Sequence, residues 1–137
     1  MLLVDDEVTV RTVLARALRG RGFSVLEAAD GRQALSRAHA FNGMLALVVT
    51  DVNMPVMDGF AFAEAFLPLY PSVPILFITG GDHPMERGGP GGVIRIAFPR
   101  GGYGEVLPKP FTPEVLLEAV SRIVGRGAGP VPTADRR

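Results

Sequence analysis

The sequence predicts one α/β domain, a doubly wound sheet of five parallel strands with helices on both faces. Three observations predict it. Five short apolar runs recur along the 137 residues, helical patterns alternate with them, and four of the runs end on polar residues. Strands alternating with helices form right-handed βαβ crossovers, which cover a parallel sheet on both sides. A chain of this length builds one core rather than two.

The first run is "MLLV" at the N-terminus. Val10, Val13, Leu14, Ala17 and Leu18 then recur at helical spacing, with arginines on the other face, and "GRG" stops that helix. The second run is "FSVLEA" from Phe23. It leads into "DGRQALSRAHAF", where Asp30 can cap and Ala34, Leu35, Ala38 and Phe41 share a face. The third run, "MLALVVT" from Met44, precedes "FAFAEAFLPLY", a helix expected to end near Pro68. Asp58, beside Gly59, is expected to cap it, and Met54 and Met57 to pack the loop before it. The fourth run is "VPILFIT" from Val73. The third and fourth runs are apolar nearly throughout, as strands buried on both faces should be.

The fifth run is "EVLPKP" from Glu105, and its Pro108 is tolerable if this strand lies at a sheet edge. The last helix starts at Thr112 as cap and Pro113 as first helical residue, with Val115, Leu116, Ala119, Val120 and Ile123 inward. One crossover is abnormal. From Gly80 to Gly104 the chain holds nine of the 17 glycines and shows no clean helical period. The fourth crossover helix is therefore expected to be degenerate or missing, although "VIRIAF" within the segment could form an extra short strand. Residues 1–124 are read as the domain and 125–137 as a flexible tail or linker.

Composition excludes several functions. Hydrophobic residues make up 47% and charges balance at 14 basic and 14 acidic, so the basic surplus typical of nucleic-acid or membrane surfaces is lacking. Without cysteine there is no disulfide, Cys-ligated zinc or thiol catalysis. "MLLVDDE" meets acid too soon for a signal peptide, and no apolar stretch reaches membrane-spanning length, so the expected location is cytoplasmic. "GGPGG" lacks the Lys-Ser/Thr of a phosphate-binding loop. His39 and His83 have no partner at a useful spacing and read as surface residues.

In open parallel sheets, ligands bind beyond the carboxyl ends of the strands, where the winding reverses. The runs deliver Asp5, Asp6 and Glu7, then Asp51, Thr79 and Lys109 to that edge. Asp51 by itself could be a cap, a turn former, a metal ligand or a nucleophile. If the first and third strands are neighbours, Asp5, Asp6 and Asp51 converge. Three such carboxylates repel one another, and a hard divalent cation, magnesium best, relieves the repulsion. Lys109 and Thr79 at the same place suit a phosphoryl group, as point charge and hydrogen-bond donor.

"LLVDDE", "TDVNMPVMDGF", "ILFITG" and "LPKPF", in that order, resemble the response-regulator receiver domains of two-component signalling. The flavour is most similar to receivers of hybrid sensor histidine kinases or their stand-alone relatives. The resemblance implies a flavodoxin-like strand order, 2-1-3-4-5, and a phosphoryl group accepted by Asp51 from a phosphohistidine. It further implies magnesium bound directly by Asp6, mostly through water by Asp5, and by Asp51 and the Asn53 carbonyl. Lys109 would pair with the phosphoryl oxygens, Thr79 would swing in to bond one, and a cis peptide would precede Pro110.

The implied partners are a sensor histidine kinase or a histidine phosphotransfer protein, and an unnamed downstream protein, with no nucleic acid and no membrane. The chain would signal by contact rather than act as an enzyme. A phosphatase of the haloacid dehalogenase kind would need a second acid where Asn53 stands. The alternative is a pseudo-receiver that binds partners independently of phosphorylation. Two departures keep it in view. Val106 stands where receivers carry a switching Tyr or Phe, and 30 residues separate Thr79 from Lys109, more than the family pattern. Since glycine runs cannot sustain a helix, the segment 80–104 is expected to be mobile and to order when Asp51 is phosphorylated.

Overall fold

The computed structural model describes residues 1–41, 43–80, 94–97 and 103–128. Along the chain run β1 (Leu2–Val4), α1 (Val8–Gly20), β2 (Leu26–Ala28), α2 (Gly31–Ala40), β3 (Val48–Asp51) and α3 (Gly59–Phe66). Then come β4 (Ile75–Thr79), β5 (Ile94–Ala97), β6 (Tyr103–Pro108) and α4 (Pro113–Ala128). They form one sheet in the order β2-β1-β3-β4-β6-β5. The first five strands of that order are mutually parallel, and β5 lies antiparallel on β6. The five expected parallel strands thus take the expected order. "VIRIAF" contributes a sixth, placed outside them.

That sixth strand corrects one expectation. The strand carrying Pro108 is second from the edge. Its proline is tolerated for a different reason: the register with β5 ends at Ile94 opposite Val106, two residues before Pro108. On the other side the Lys109 amide donates to the Thr79 carbonyl at 2.7 Å. Backbone alternation therefore turns the nitrogen of Pro108 away from β4, beyond the described reach of β5. The remainder of the glycine-rich segment, with His83, lies outside the described residues. So do the expected loss of the fourth crossover helix and the expected ordering on phosphorylation. Helix α4 runs to Ala128, past the boundary drawn at 125, and residues 129–137 are outside the description.

Strand alternation sorts the core into two layers. Leu2, Val4, Val48, Ile75, Phe77 and Val106 face α2 and α3, packing with Ala34, Ala38, Phe62 and Phe66. Leu3, Val49, Leu76, Ile78 and Leu107 face α1 and α4, packing with Leu14, Leu18, Leu116, Val120 and Ile123. Full burial of one such side chain stabilises by about 1.5–3 kcal/mol, so these two layers dominate the fold's stability. The helical stripes read from sequence were each too wide by one valine. Val13 is 51% and Val115 43% exposed, while Ala15 and Leu117 are buried. Phe41, 39% exposed, falls just past the end of α2.

Helix ends follow their capping chemistry. Asp30 accepts from the Gln33 amide at 2.8 Å, Asp58 from Ala61 at 2.8 Å and Thr112 from Val115 at 3.2 Å. Helix α3 stops at Phe66, one turn before Tyr70, whose ring stacks on Phe66. Among the described residues no helix is long and apolar enough to cross a membrane.

Candidate functional site

The site is assembled by two turns. After β1, the Asp5 amide extends the ladder by donating to the Ala28 carbonyl at 3.0 Å. The Asp5 carboxylate accepts the Glu7 amide at 2.9 Å, an Asx turn that reverses the chain into α1. Asp5 is 1% exposed, whereas Asp6 points to solvent.

After β3, the Val52 amide bonds Ile78 O and the Gly59 amide bonds Val52 O, both at 2.9 Å. This seats the start of α3 directly against the phosphoacceptor candidate's own backbone. A Cβ at Gly59 would lie 2.3 Å from the Asp51 carbonyl oxygen, so only glycine fits there. Between the two, the Met57 amide donates to Pro55 O at 2.8 Å and Val56 has φ 71°. That is a γ-turn with a β-branched residue in a conformation such residues avoid. Met54 is buried and Met57 packs on the α2–α3 layer, as expected from sequence.

Carboxylate oxygens of Asp5, Asp6 and Asp51 lie within 4.8 Å of one another. The Lys109 Nζ stands 3.9 Å from Asp51 Oδ2. Thr79, 4% exposed, ends β4 opposite Pro108, with its carbonyl on the Lys109 amide. The Lys109–Pro110 peptide is cis. The expected site residues therefore meet at one sheet edge. Asn53 meets them through its backbone, where its amide favours the ionised Asp51 carboxylate.

Burial pushes both inner carboxyls up. Asp5 is raised to about 6, chiefly by desolvation, with the Glu7 amide opposing and the Asp51 charge adding to the rise. Asp51 is also raised, again by desolvation first, with Lys109 and the Asn53 amide opposing. One lysine at 3.9 Å does not balance three acids. Oxygen donors only, two of them desolvated and a third reaching solvent, fit a small hard divalent cation that keeps some of its water. Magnesium meets that description, with Asp5, Asp6 and Asp51 as the residues that would hold it.

Sequence reasoning missed Arg11, which was placed with the other arginines on the outer face of α1. Its guanidinium turns inward, donating to the Asp5 carbonyl at 2.7 Å and to Glu27 Oε1 at 3.2 Å. The available signal was Glu27 itself, a lone acid within an apolar strand. Gly59 entered the sequence reading as the neighbour of the capping Asp58, and its contact with Asp51 is visible only once α3 is docked.

A doubly wound sheet that gathers carboxylates, a lysine and a threonine at its switch point defines a class: an α/β signalling domain with an acidic pocket. The chain belongs to the response regulator receiver domain family, whose profile matches residues 1–121. It is 34% identical over 125 residues to the sensor kinase CckA of Brucella abortus (strain 2308), covering 90% of this chain and 12% of that protein. It is 35% identical over 126 residues to the response regulator MprA of Mycolicibacterium vanbaalenii, covering 92% and 50%. The chain thus spans half or less of the length of these two relatives.

Among solved structures, the receiver domain of the hybrid histidine kinase CckA superposes with a TM-score of 0.70 at 35% identity, covering 90% of this chain and 96% of that one. The chemotaxis response regulator CheY4 of Vibrio cholerae superposes with a TM-score of 0.69 at 34% identity, covering 89% and 95%. The acidic cluster and the two-component family assignment point the same way.

Proposed function

We infer that this receiver works in the cytoplasm, accepts a phosphoryl group on Asp51 from the phosphohistidine of a sensor kinase or histidine phosphotransfer protein, and signals by the protein contacts that follow. The observation carrying this reading is the position of Asp51 among the three acids. Asp51 is the one within reach of Lys109, at 3.9 Å, and its side chain is 8% exposed. Asp5 is more enclosed, at 1% exposed, and among the described residues neither Asp5 nor Asp6 forms an ion pair of this kind. An Asp51 carboxylate oxygen would attack phosphorus. The phosphorus–nitrogen bond to the histidine breaks as the phosphorus–oxygen bond forms, leaving an acylphosphate and a neutral imidazole once a proton is supplied.

Asp5, Asp6 and Asp51, with the Asn53 carbonyl, would hold magnesium, which offsets charge on the phosphoryl oxygens. Lys109 would add a fixed positive charge on the far side, and the Thr79 hydroxyl would bond a phosphoryl oxygen once the group has arrived. Incubation with a small-molecule phosphodonor and magnesium should add one phosphoryl group by intact mass. Asp51→Asn should abolish the addition. Labelling that persists in this variant would overturn Asp51 as the acceptor, and wild-type protein that never labels would favour the phosphorylation-independent binding module instead.

A further inference from the structure

Arg11 stands where simple electrostatics argues against a cation. It lies in the first turn of α1, at the positive end of the helix dipole, and it borders the acidic cluster. A positive charge there weakens the attraction of any incoming divalent cation. Yet its side chain is drawn in, 16% exposed, and its two hydrogen bonds go to the Asp5 carbonyl and to Glu27. A local rule broken this way asks for a compensating role.

The bonded atoms suggest that role. The Asp5 carbonyl belongs to the peptide joining Asp5 to Asp6. Asp5 itself is held three ways: its amide by Ala28, its carboxylate by the Glu7 amide, its carbonyl by Arg11. Asp6 is exposed, and among the described residues no hydrogen bond holds its carboxylate. The aim of Asp6 therefore depends on the peptide before it. Glu27 sits in β2 opposite Leu3, and Arg19 grips its other oxygen at 3.1 Å, so the anchor for Arg11 is itself fixed to the sheet and to α1.

We propose that Arg11, anchored by Glu27, is a positioning residue that sets the Asp5–Asp6 peptide so that both carboxylates face one divalent cation. This rests on reading the acidic cluster as a magnesium site, and the experiment separates the two ideas. The full chain is titrated with magnesium alone while the Asp6 and Glu7 amide shifts are followed by NMR. Arg11→Met should weaken binding about tenfold, as losses around metal ligands typically do. Charge alone gives the opposite sign, since removing a cation should tighten binding.

Glu27→Gln, nearly isosteric and safe for folding, should weaken binding less in the wild-type background and not at all in Arg11→Met. Arg11→Lys should recover part of the loss by restoring one donor. Unchanged or tighter magnesium binding in Arg11→Met, or a Glu27→Gln effect of equal size in both backgrounds, overturns the positioning role. Wild-type protein with no saturable magnesium response, or Asp6→Asn binding like wild type, overturns the cation site and the role with it.

Discussion

The two halves of the carboxyl edge are built differently. In the half formed by β1 and β3, both acid-bearing turns are fixed by short hydrogen bonds, and the one after β3 also by a glycine with no room to spare. In the half formed by β4 and β6, Thr79 and Lys109 keep their places while their surroundings are reworked. Val106, fully buried, occupies the expected aromatic position and registers against Phe77. The Phe77 ring leans over Gly104, where a Cβ would meet its Cε2 at 2.5 Å, and lies 4.9 Å from the Phe60 ring. The aromatic bulk on this face is therefore supplied by β4, wedged in the core. The lesson is that the acidic half can be specified locally while the other half is free to vary, provided two side chains still arrive.

The sharpest way to break this comparison uses the two tight glycines. Gly59→Ala drives a methyl into the Asp51 carbonyl, backbone against backbone. It should cost about 3 kcal/mol, at the top of the overpacking range, and lower phosphoryl uptake together with stability. Gly104→Ala presses chiefly on the Phe77 ring, with the Ile75 carbonyl oxygen at 3.0 Å, and should cost about 2 kcal/mol while leaving uptake on the remaining folded protein unchanged. Denaturant midpoints and intact-mass phosphorylation would be measured on both. Equal loss of chemistry in the two variants would erase the distinction between the halves.

Next in size is the charge stored in the acidic half. Asp5 is raised from 3.8 to about 6, so the folded state holds its proton more tightly than the unfolded one. The sign follows: metal-free stability from this group is intact below about pH 4, falls as pH rises toward 6, and stays low above it. Asp5→Asn should therefore stabilise the metal-free protein at pH 7.5 by on the order of 2 kcal/mol, with the gain vanishing near pH 4. Thermal unfolding at the two pH values, without magnesium, would check it. A gain independent of pH would locate the effect outside ionisation.

The smallest effect probes the turn between β3 and α3. Val56 is 74% exposed, so the core does not compensate for its φ of 71°. Val56→Gly should relieve that strain, set against the greater unfolded-state freedom of glycine, for a net gain below about 1 kcal/mol. A clear loss of stability on chemical denaturation would show that the valine makes contacts worth more than its backbone costs.

Much of this was legible in the sequence because it is local or periodic. Runs of apolar residues gave the strands, caps gave the helix starts, and the polar run ends gave Asp5, Asp6, Asp51, Thr79 and Lys109. What was not legible depends on partners distant along the chain. "VIRIAF" could be seen as a strand, yet nothing near it names β6 as its neighbour, and Pro108 was consequently read as an edge residue. Helical periodicity assigned Arg11 outward because it weighs polarity and not the length of a guanidinium, which reaches back over the apolar stem. Val13 and Val115 were taken inward for the same reason in reverse: a stripe read from residue type has no knowledge of where the sheet ends.

The Lys109 amide meets the Thr79 carbonyl at 2.7 Å, so the two ends of the intervening chain are latched together by the ladder itself. Lengthening a loop whose ends are already pinned costs only about 0.6 kcal/mol per doubling. Thr79 and Lys109 then keep their spacing as long as β6 stays in register with β4. The separation of these two side chains is thus a property of the β4–β6 pairing and is independent of how many residues the sequence counts between them. A sequence spacing of 30 residues and a shorter one deliver the same pair to the same edge.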